Sequence, residues 1–324
     1  MNMKQVWGVA GGFFAAYMLI TLTNKPTVEP VAPDRGAVEY GRGGEAPQAR
    51  AAFQPGYCFP GFGPGAFDDS RAETALASLA ASGARWVALT PLMLQASGSA
   101  NEVETTSPET PSLEATAQAI RASHRLGLQV MLRPVVSSRD GTRREDFMPL
   151  DPAAWFASYR QAMGAYLDLA AREGVAIVCL GSSYSRLEER QPWPELIADA
   201  RARYGGQLTY GAAMAGDGYR RVAFWEGLDY VGLDAVMSEH ERDPEAWRRA
   251  GEALDAWQRQ GGGGKPVLFT SLGFPADTGG ATFGEGDRQS AAYRAFLGGM
   301  DRFAWLAGSY GSYWDNPASS LGRT

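Results

Sequence analysis

The feature that most constrains the fold is a regular alternation of short apolar runs with longer amphipathic stretches, which begins near Tyr57. Eight runs are short and nearly continuous in apolar residues, as expected of strands buried on both faces. They read YCFPGF, RWVALTP, LQVMLRPVV, VAIVCLGS, QLTYGA, LDYVGLDAV, PVLFTSLG and WLAGSYGSYW. Eight such strands separated by helices predict an α/β fold, the parallel (β/α)8 TIM barrel. A doubly wound open sheet also alternates, but no glycine-rich phosphate-binding loop follows the first run.

The stretches between the runs carry helical periodicity and end signals. Asp151 is placed to cap a helix that has Pro152 at its first position. Glycine follows other predicted helices, where a left-handed residue ends the last turn. The predicted helices cover residues 68–83, 112–126, 152–173, 193–204, 244–260 and 288–303.

Composition excludes several classes of function. The chain of 324 residues has 30 basic and 36 acidic residues, with a net charge of -6 and no basic stripe that would track nucleic-acid phosphates. The only cysteines, Cys58 and Cys179, are predicted to be free and buried, because their strands are not neighbours in an eight-stranded barrel. With only two histidines, His124 and His240, and no haem motif, the sequence predicts neither a metal nor a cofactor.

The amino terminus predicts a membrane anchor. An uncharged, mostly apolar run covers residues 6–22 between Lys4 and Lys25, which is long enough to span a bilayer as a helix. A cleaved signal peptide is the alternative, but the run is long for one and no small-x-small cleavage site follows. We therefore expect a single-pass protein of the cell membrane, with an anchor at residues 1–25 and the large domain outside the cytoplasm, in the periplasm.

Two further features belong to this segment. Gly8 and Gly12 have the spacing that lets membrane helices approach closely, which predicts contacts with other membrane subunits. Residues 26–52 are rich in Pro, Gly and Ala and predict a linker. The barrel domain is then expected at residues 53–324.

In a (β/α)8 barrel the active site lies at the carboxyl ends of the strands. The residues that follow the eight runs are Gly61, Pro91, Pro134, Ser183, Gly211, Asp234, Ser271 and Trp314. Ser271 stands out, because it places a hydroxyl group at the end of a buried strand where a carboxylate would be expected.

Several segments, in order, resemble glycoside hydrolase family 113, the β-mannanase-like retaining enzymes. These segments are RASHRLGLQVMLRP, WFASYRQAMGAYLDLAAREGVAIVCLGS, WPELIADARARYGGQLTYGA, FWEGLDYVGLDA, GKPVLFTSLGFP and RQSAAYRAFL. The resemblance implies a glutamate acid/base in a Gly-Thr-Glu motif after the fourth strand and a nucleophile in Thr-Glu-Ile-Gly after the seventh. The matching residues here are Ser183 and Ser271.

Retaining hydrolysis needs one carboxyl group to protonate the leaving oxygen and a second, roughly 5 Å away, to attack the sugar. A serine hydroxyl does neither without a base, and loss of a general acid alone typically costs about 10² to 10⁴ in rate. The resemblance together with the two serines therefore predicts a pseudoenzyme.

Two catalytic alternatives stay open. Relocated carboxylates are one, and the candidates are Asp234, Glu188, Glu189, Asp277 and Asp315, although loop acids are mostly solvated. A serine nucleophile is the other, but it needs a neighbouring base, and His124 and His240 lie away from the strand ends.

Aromatic residues near the strand ends have two interpretations. They form a platform on which sugar rings stack, or they fill a closed cleft; the residues are Tyr184, Phe274, Tyr310, Tyr313 and Trp314. A second group is expected to pack helices against the barrel, and it comprises Trp155, Trp193, Trp225, Trp247 and Trp257.

Two functions follow from these observations. The first is a catalytically inactive, membrane-anchored barrel that serves as a structural or accessory subunit of a membrane protein complex. The second is a carbohydrate-binding protein associated with polysaccharide synthesis or export. An active glycosidase with relocated carboxylates is a variant of the second.

Overall fold

The structure is a computed structural model that describes residues 53–68, 70–104, 106–190, 192–236, 243–260, 264–274 and 285–312. The predicted anchor at residues 1–25 and linker at residues 26–52 lie outside these ranges. Among the helices that are described, none combines the length and apolar character needed to cross a bilayer.

Parallel strands form a closed barrel, as predicted. The strand segments are β1 (Gln54–Gly61), β2 (Trp86–Gln95), β3 (Gln129–Leu132), β4 (Val135–Ser138), β5 (Ile177–Ser182), β6 (Gln207–Ala213), β7 (Val231–Val236), β8 (Val267–Gly273) and β9 (Leu306–Gly311). Each pairs with its neighbours in parallel, and β1 pairs with both β2 and β9, which closes the sheet.

The nine segments make eight barrel strands, because β3 and β4 are two halves of one strand. β2 pairs with β3 through residues 86–89 and with β4 through residues 92–95. The break falls at Arg133 and Pro134, and proline lacks the N–H that a ladder position would donate. Arg133 lies at this break and is nearly buried.

The helices also match the predictions to within a few residues. They are α1 (Ser70–Ala81), α2 (Leu113–Arg125), α3 (Pro152–Glu173), α4 (Pro192–Arg203), α5 (Pro244–Arg259) and α6 (Glu285–Met300). The Asp151 carboxylate accepts from the backbone N–H groups at residues 153 and 154, which confirms its predicted role as the cap of α3. Between β6 and β7 the chain forms two short 3-10 segments, Ala215–Arg220 and Trp225–Gly227, in place of a helix.

Side chains alternate between two apolar layers along each strand. Cys58, Ala88, Met131, Cys179 and Leu268 form part of a small cluster inside the barrel. A much larger cluster lies between the strands and the helices, and all five tryptophans predicted to pack helices against the barrel belong to it or pack against it. Both cysteines are free and buried, as predicted.

Candidate functional site

The candidate site lies at the barrel mouth, the face formed by the carboxyl ends of the strands. Asp234, in β7, is at its centre, and its carboxylate gathers side chains from three other strands. Ser182 and Ser183 come from the end of β5, Thr270 from β8, and Arg133 from the break between β3 and β4.

The Asp234 carboxylate accepts hydrogen bonds from four side chains. Nη2 of Arg133 lies 3.0 Å from each of its two oxygens. The hydroxyl groups of Ser182 and Ser183 donate to Oδ2 over 2.6 and 3.1 Å, and that of Thr270 donates to Oδ1 over 2.7 Å. Each of the two oxygens therefore already has at least two partners.

Burial alone would raise the pKa of Asp234, because it penalises the charged form. The charge of Arg133 and the hydrogen bonds from Ser182 and Thr270 act in the opposite direction, and the pKa is lowered from its ordinary value. Asp234 is thus an ionised carboxylate held by donors. A group of this kind is a weak base and a hindered nucleophile.

Gly211, in β6, makes room for this arrangement. A Cβ atom at this position would lie 2.6 Å from Oδ1 of Asp234 and 2.8 Å from Oγ1 of Thr270. Such distances are well inside van der Waals contact, so glycine is required for the carboxylate and the threonine to meet.

The chain turns sharply where β5 ends. Ser183 has a φ of 55°, in the left-handed region that non-glycine residues rarely adopt. Its backbone N–H donates to the carbonyl of Gly211 over 2.7 Å, which fixes the turn. Its side chain remains at the mouth, bonded to Asp234.

The next residue points away from the mouth. Tyr184 is fully buried, its ring stacked on Phe147 at a centroid distance of 6.0 Å, and its hydroxyl accepts from the backbone N–H of Val136 over 3.1 Å. The structure therefore places Tyr184 in the core and not on a sugar-stacking platform. The left-handed turn at Ser183 is the reason, because it directs the following side chain inward.

The other predicted aromatic contacts have mixed positions. Phe274 is buried, with its ring edge-on to those of Trp247 and Tyr293. Tyr310 is also buried and donates its hydroxyl to Gln54 over 2.8 Å. Tyr313 and Trp314 lie outside the described residues, as do the candidate acids Asp277 and Asp315.

Ser271 lies beside Asp234 in the sheet, where the two residues are paired in register. Its hydroxyl is hydrogen-bonded to that of Ser312 over 2.8 Å, and it is largely buried. No histidine activates either serine in the described part of the chain, because His124 belongs to α2 on the outside of the barrel. His240 lies outside the described residues.

Glu188 corrects the expectation that acids in this loop are solvated. Its side chain is fully buried, and Oε1 accepts from the Tyr210 hydroxyl over 3.0 Å, while Oε2 has no hydrogen-bond partner among the described residues. Burial raises its pKa to about 7. Its neighbour Glu189 is exposed, as expected.

Arg144 brings a second guanidinium to the mouth from the short 3-10 segment Arg144–Asp146. Its Nη1 donates to the Ser182 hydroxyl over 3.3 Å, and its charge helps to lower the pKa of Asp234. Ser182 also accepts from Arg133 over 2.7 Å, so one hydroxyl joins both arginines to Asp234.

Sequence reasoning missed Arg133, Arg144, Ser182 and Thr270 as members of the site. The signal for Arg133 and Thr270 was present, since both are polar residues at the ends of apolar runs. Selecting the residue after each run gives Pro134 and Ser271 instead. Arg144 lies in a loop, and nothing in the sequence indicates that it returns to the strand ends.

In the described part of the site, hydroxyl and guanidinium donors surround one carboxylate, and both of its oxygens already accept hydrogen bonds. No group of three or more His, Cys, Asp or Glu side chains within the described ranges is arranged to hold a metal ion. The cluster is suited to hydrogen bonding and to pairing with a negative charge.

Comparison with known proteins agrees with the barrel architecture. The family model for Glycoside Hydrolase Family 113 matches residues 58–320. The β-mannanase AaManA of this family from Alicyclobacillus acidocaldarius, in complex with ManMIm, is 26% identical with a TM-score of 0.73, over 81% of this chain and 87% of that one. A complex structure of another family 113 β-1,4-mannanase is 24% identical with a TM-score of 0.72, over 81% and 89% of the two chains. No curated protein matches the sequence.

Proposed function

Because the chain belongs to Glycoside Hydrolase Family 113 and has serine at the two positions where the resemblance implies glutamates, we propose that it does not cleave glycosidic bonds. The observation that carries this proposal is the state of Asp234. Asp234 is the carboxylate of the described barrel mouth, and its oxygens already accept hydrogen bonds from four side chains.

Among the described residues, the other carboxylate candidate near the site, Glu188, does not supply the missing chemistry. Glu188 has the raised pKa of a general acid, but its side chain is fully buried and its Oε1 is bonded to Tyr210. A general acid must lie within hydrogen-bond reach of the oxygen it protonates, and a buried group does not reach a substrate. Asp234 and Glu188 together therefore do not replace an acid/base and a nucleophile.

Hydrolysis assays on β-1,4-mannan and manno-oligosaccharides test this proposal. We expect no activity from the unchanged chain. The double variant Ser183→Glu and Ser271→Glu is expected to recover traces of retaining hydrolysis, since it restores both carboxyl groups. Activity in the unchanged chain would overturn the proposal, and its loss in an Asp234→Asn or Glu188→Gln variant that thermal unfolding shows to be folded would point to relocated carboxylates.

We further propose that the barrel is an accessory subunit anchored in the cell membrane, with its barrel on the periplasmic side. The support is the apolar run at residues 6–22 followed by a linker-like segment. Gentle detergent extraction from native membranes, followed by sizing and mass spectrometry, tests this role. A stoichiometric set of membrane partners supports it, and recovery of a lone monomer contradicts it.

Carbohydrate binding is the second candidate function, and a specific observation favours it. The mouth keeps an ordered polar cluster, in which Ser182 and Thr270 fix Asp234 and Arg144 remains half-exposed. A barrel kept only as a structural support has no need of such a cluster. Binding of manno-oligosaccharides without turnover, measured by calorimetry, would establish this function.

A further inference from the structure

Among the described residues, the arginines that meet Asp234 at the barrel mouth outnumber it. Arg133 and Asp234 pair with each other over 3.0 Å and are both nearly buried, so they neutralise one another. Arg144 adds a second positive charge beside them, bonded to the neutral Ser182 hydroxyl. The three charged groups Arg133, Asp234 and Arg144 therefore carry one excess positive charge together.

The acids closest to Arg144 in the chain have other partners. Glu145 pairs with Arg143 over 3.3 Å, and Asp146 pairs with Arg186 over 3.7 Å. Within the described ranges Arg144 forms no ion pair with any acid. Its guanidinium thus keeps most of its donors for a ligand.

The fold holds Arg144 in place at the mouth. The 3-10 segment that carries it runs directly into Phe147, which is fully buried and stacked on Tyr184. Ser182, its hydrogen-bond partner, is itself fixed by Asp234 over 2.6 Å. A guanidinium that is positioned before the ligand arrives loses little conformational freedom on binding.

The surrounding groups suit an anion carried on a sugar. A guanidinium forms paired hydrogen bonds with the two oxygens of a carboxylate. The hydroxyls of Ser183 and Ser271 add no negative charge that would repel an anion, and hydroxyl groups exchange hydrogen bonds with sugar hydroxyls.

We infer that the barrel mouth binds an acidic saccharide, with the carboxylate of a uronic-acid residue on Arg144. This inference rests on the carbohydrate-binding function proposed above and names its ligand class. The excess charge of the mouth is then matched by the ligand, and Arg144 gains the counter-charge that the described residues do not supply.

Two ligands that differ mainly in charge test it. β-1,4-trimannuronate carries carboxylates where β-1,4-mannotriose carries hydroxymethyl groups, so calorimetry with the full-length chain in detergent isolates the contribution of the anion. We expect trimannuronate to bind roughly tenfold or more tightly than mannotriose. We also expect its affinity to fall as salt is raised, because ions screen the pairing.

Variants of two adjacent arginines identify the residue responsible. Arg144→Gln should weaken trimannuronate binding roughly tenfold or more, and Arg144→Lys should weaken it less, because lysine keeps the charge but loses the paired geometry. Arg143→Gln is the matched control, since Arg143 is exposed and paired with Glu145. Its affinity should equal that of the parent, and thermal unfolding of each variant checks that the barrel is folded.

The possible outcomes distinguish failure of this inference from failure of the carbohydrate-binding function on which it rests. Equal binding of both trisaccharides, or no effect of Arg144→Gln in a folded protein, would refute the acidic ligand but leave sugar binding standing. Binding of inorganic phosphate as tight as that of trimannuronate would show a general anion site and refute the saccharide class. Failure of both trisaccharides to bind would remove the inference and the carbohydrate-binding function together.

Discussion

The guanidinium of Arg133 lies 3.0 Å from the Asp234 carboxylate, and the two side chains are only 4% and 9% exposed. Removing one member of a buried pair leaves the other charge buried, with neither a partner nor water to stabilise it. The pair is therefore expected to matter much more for stability than any ion pair on the outer surface of the barrel.

Asp234→Asn tests this expectation with little change of shape. We predict a loss of about 3 to 5 kcal/mol in the free energy of unfolding, because Arg133 is left buried without a counter-charge. Chemical denaturation measures it. The control is Asp168→Asn, which breaks the exposed pair with Arg203 and should cost less than about 1 kcal/mol. Similar losses in the two variants would contradict the prediction.

Glu188 should make stability depend on pH. Its pKa is raised from 4.5 to about 7 in the folded chain, so the folded state holds a proton that the unfolded state releases. Its contribution is fully present below about pH 4.5 and is lost as pH rises through about 7. The loss is on the order of 3 kcal/mol, because a tenfold change in a proton-binding constant corresponds to about 1.4 kcal/mol.

Unfolding free energies at pH 5 and pH 8 measure this effect. The decrease between the two values should be larger in the parent than in Glu188→Gln, which cannot titrate. Subtracting the decrease measured for Glu188→Gln from that of the parent cancels the contributions of the other titrating groups. One of these groups is His124, whose pKa is lowered by burial, so its contribution to stability changes with pH in the opposite direction. Glu189→Gln, an exposed neighbour, should behave like the parent. An unchanged slope in Glu188→Gln would refute the prediction.

Gly211→Ala should disturb the site through one added methyl group. That group would lie 2.6 Å from Oδ1 of Asp234, so the bond between Thr270 and Asp234 has to lengthen or break. We predict a loss of about 1 to 3 kcal/mol, typical of an overpacked interior. Gly205→Ala is the control, since nothing lies within 4 Å of its added atom. Denaturation curves that coincide for the two variants would show that the mouth has room to adjust.

The proposed membrane contact can be tested at two glycines. Gly8→Leu combined with Gly12→Leu should reduce the amount of partner protein recovered with the chain, because bulky side chains keep helices apart. Ala10→Leu provides the comparison, because a helix through this run would place Ala10 on the face opposite Gly8. Unchanged recovery in the Gly8 and Gly12 variant would remove these two residues from the proposed contact.

The architecture could be predicted from the sequence because it depends on periodicity. Apolar runs, caps such as Asp151 and helix-ending glycines are local signals, and the strands and helices lie close to where these signals place them. The membership of the site could not be predicted in this way, because it depends on the direction in which individual side chains point. One left-handed residue, Ser183, sends Tyr184 into the core, and no propensity in the sequence indicates a positive φ at a serine.

The burial of the Glu188 carboxylate could not be predicted from the sequence either. Its neighbours Glu189 and Arg190 are exposed, so its position in the chain suggests a solvated loop. Burial arises because Tyr210, from the next strand, offers a hydroxyl to the carboxylate inside the aromatic cluster. Such a contact between distant residues is visible only when the strands are assembled.

The parallel direction of the strands gives the barrel two unlike ends. β1 begins at Gln54, so the polypeptide that precedes it joins the barrel at the end opposite Asp234 and Arg144. A tether attached there joins the barrel at the face opposite the polar opening. If residues 1–25 hold the chain to a membrane as proposed, the attachment point and the ligand-binding face lie at opposite ends of the barrel.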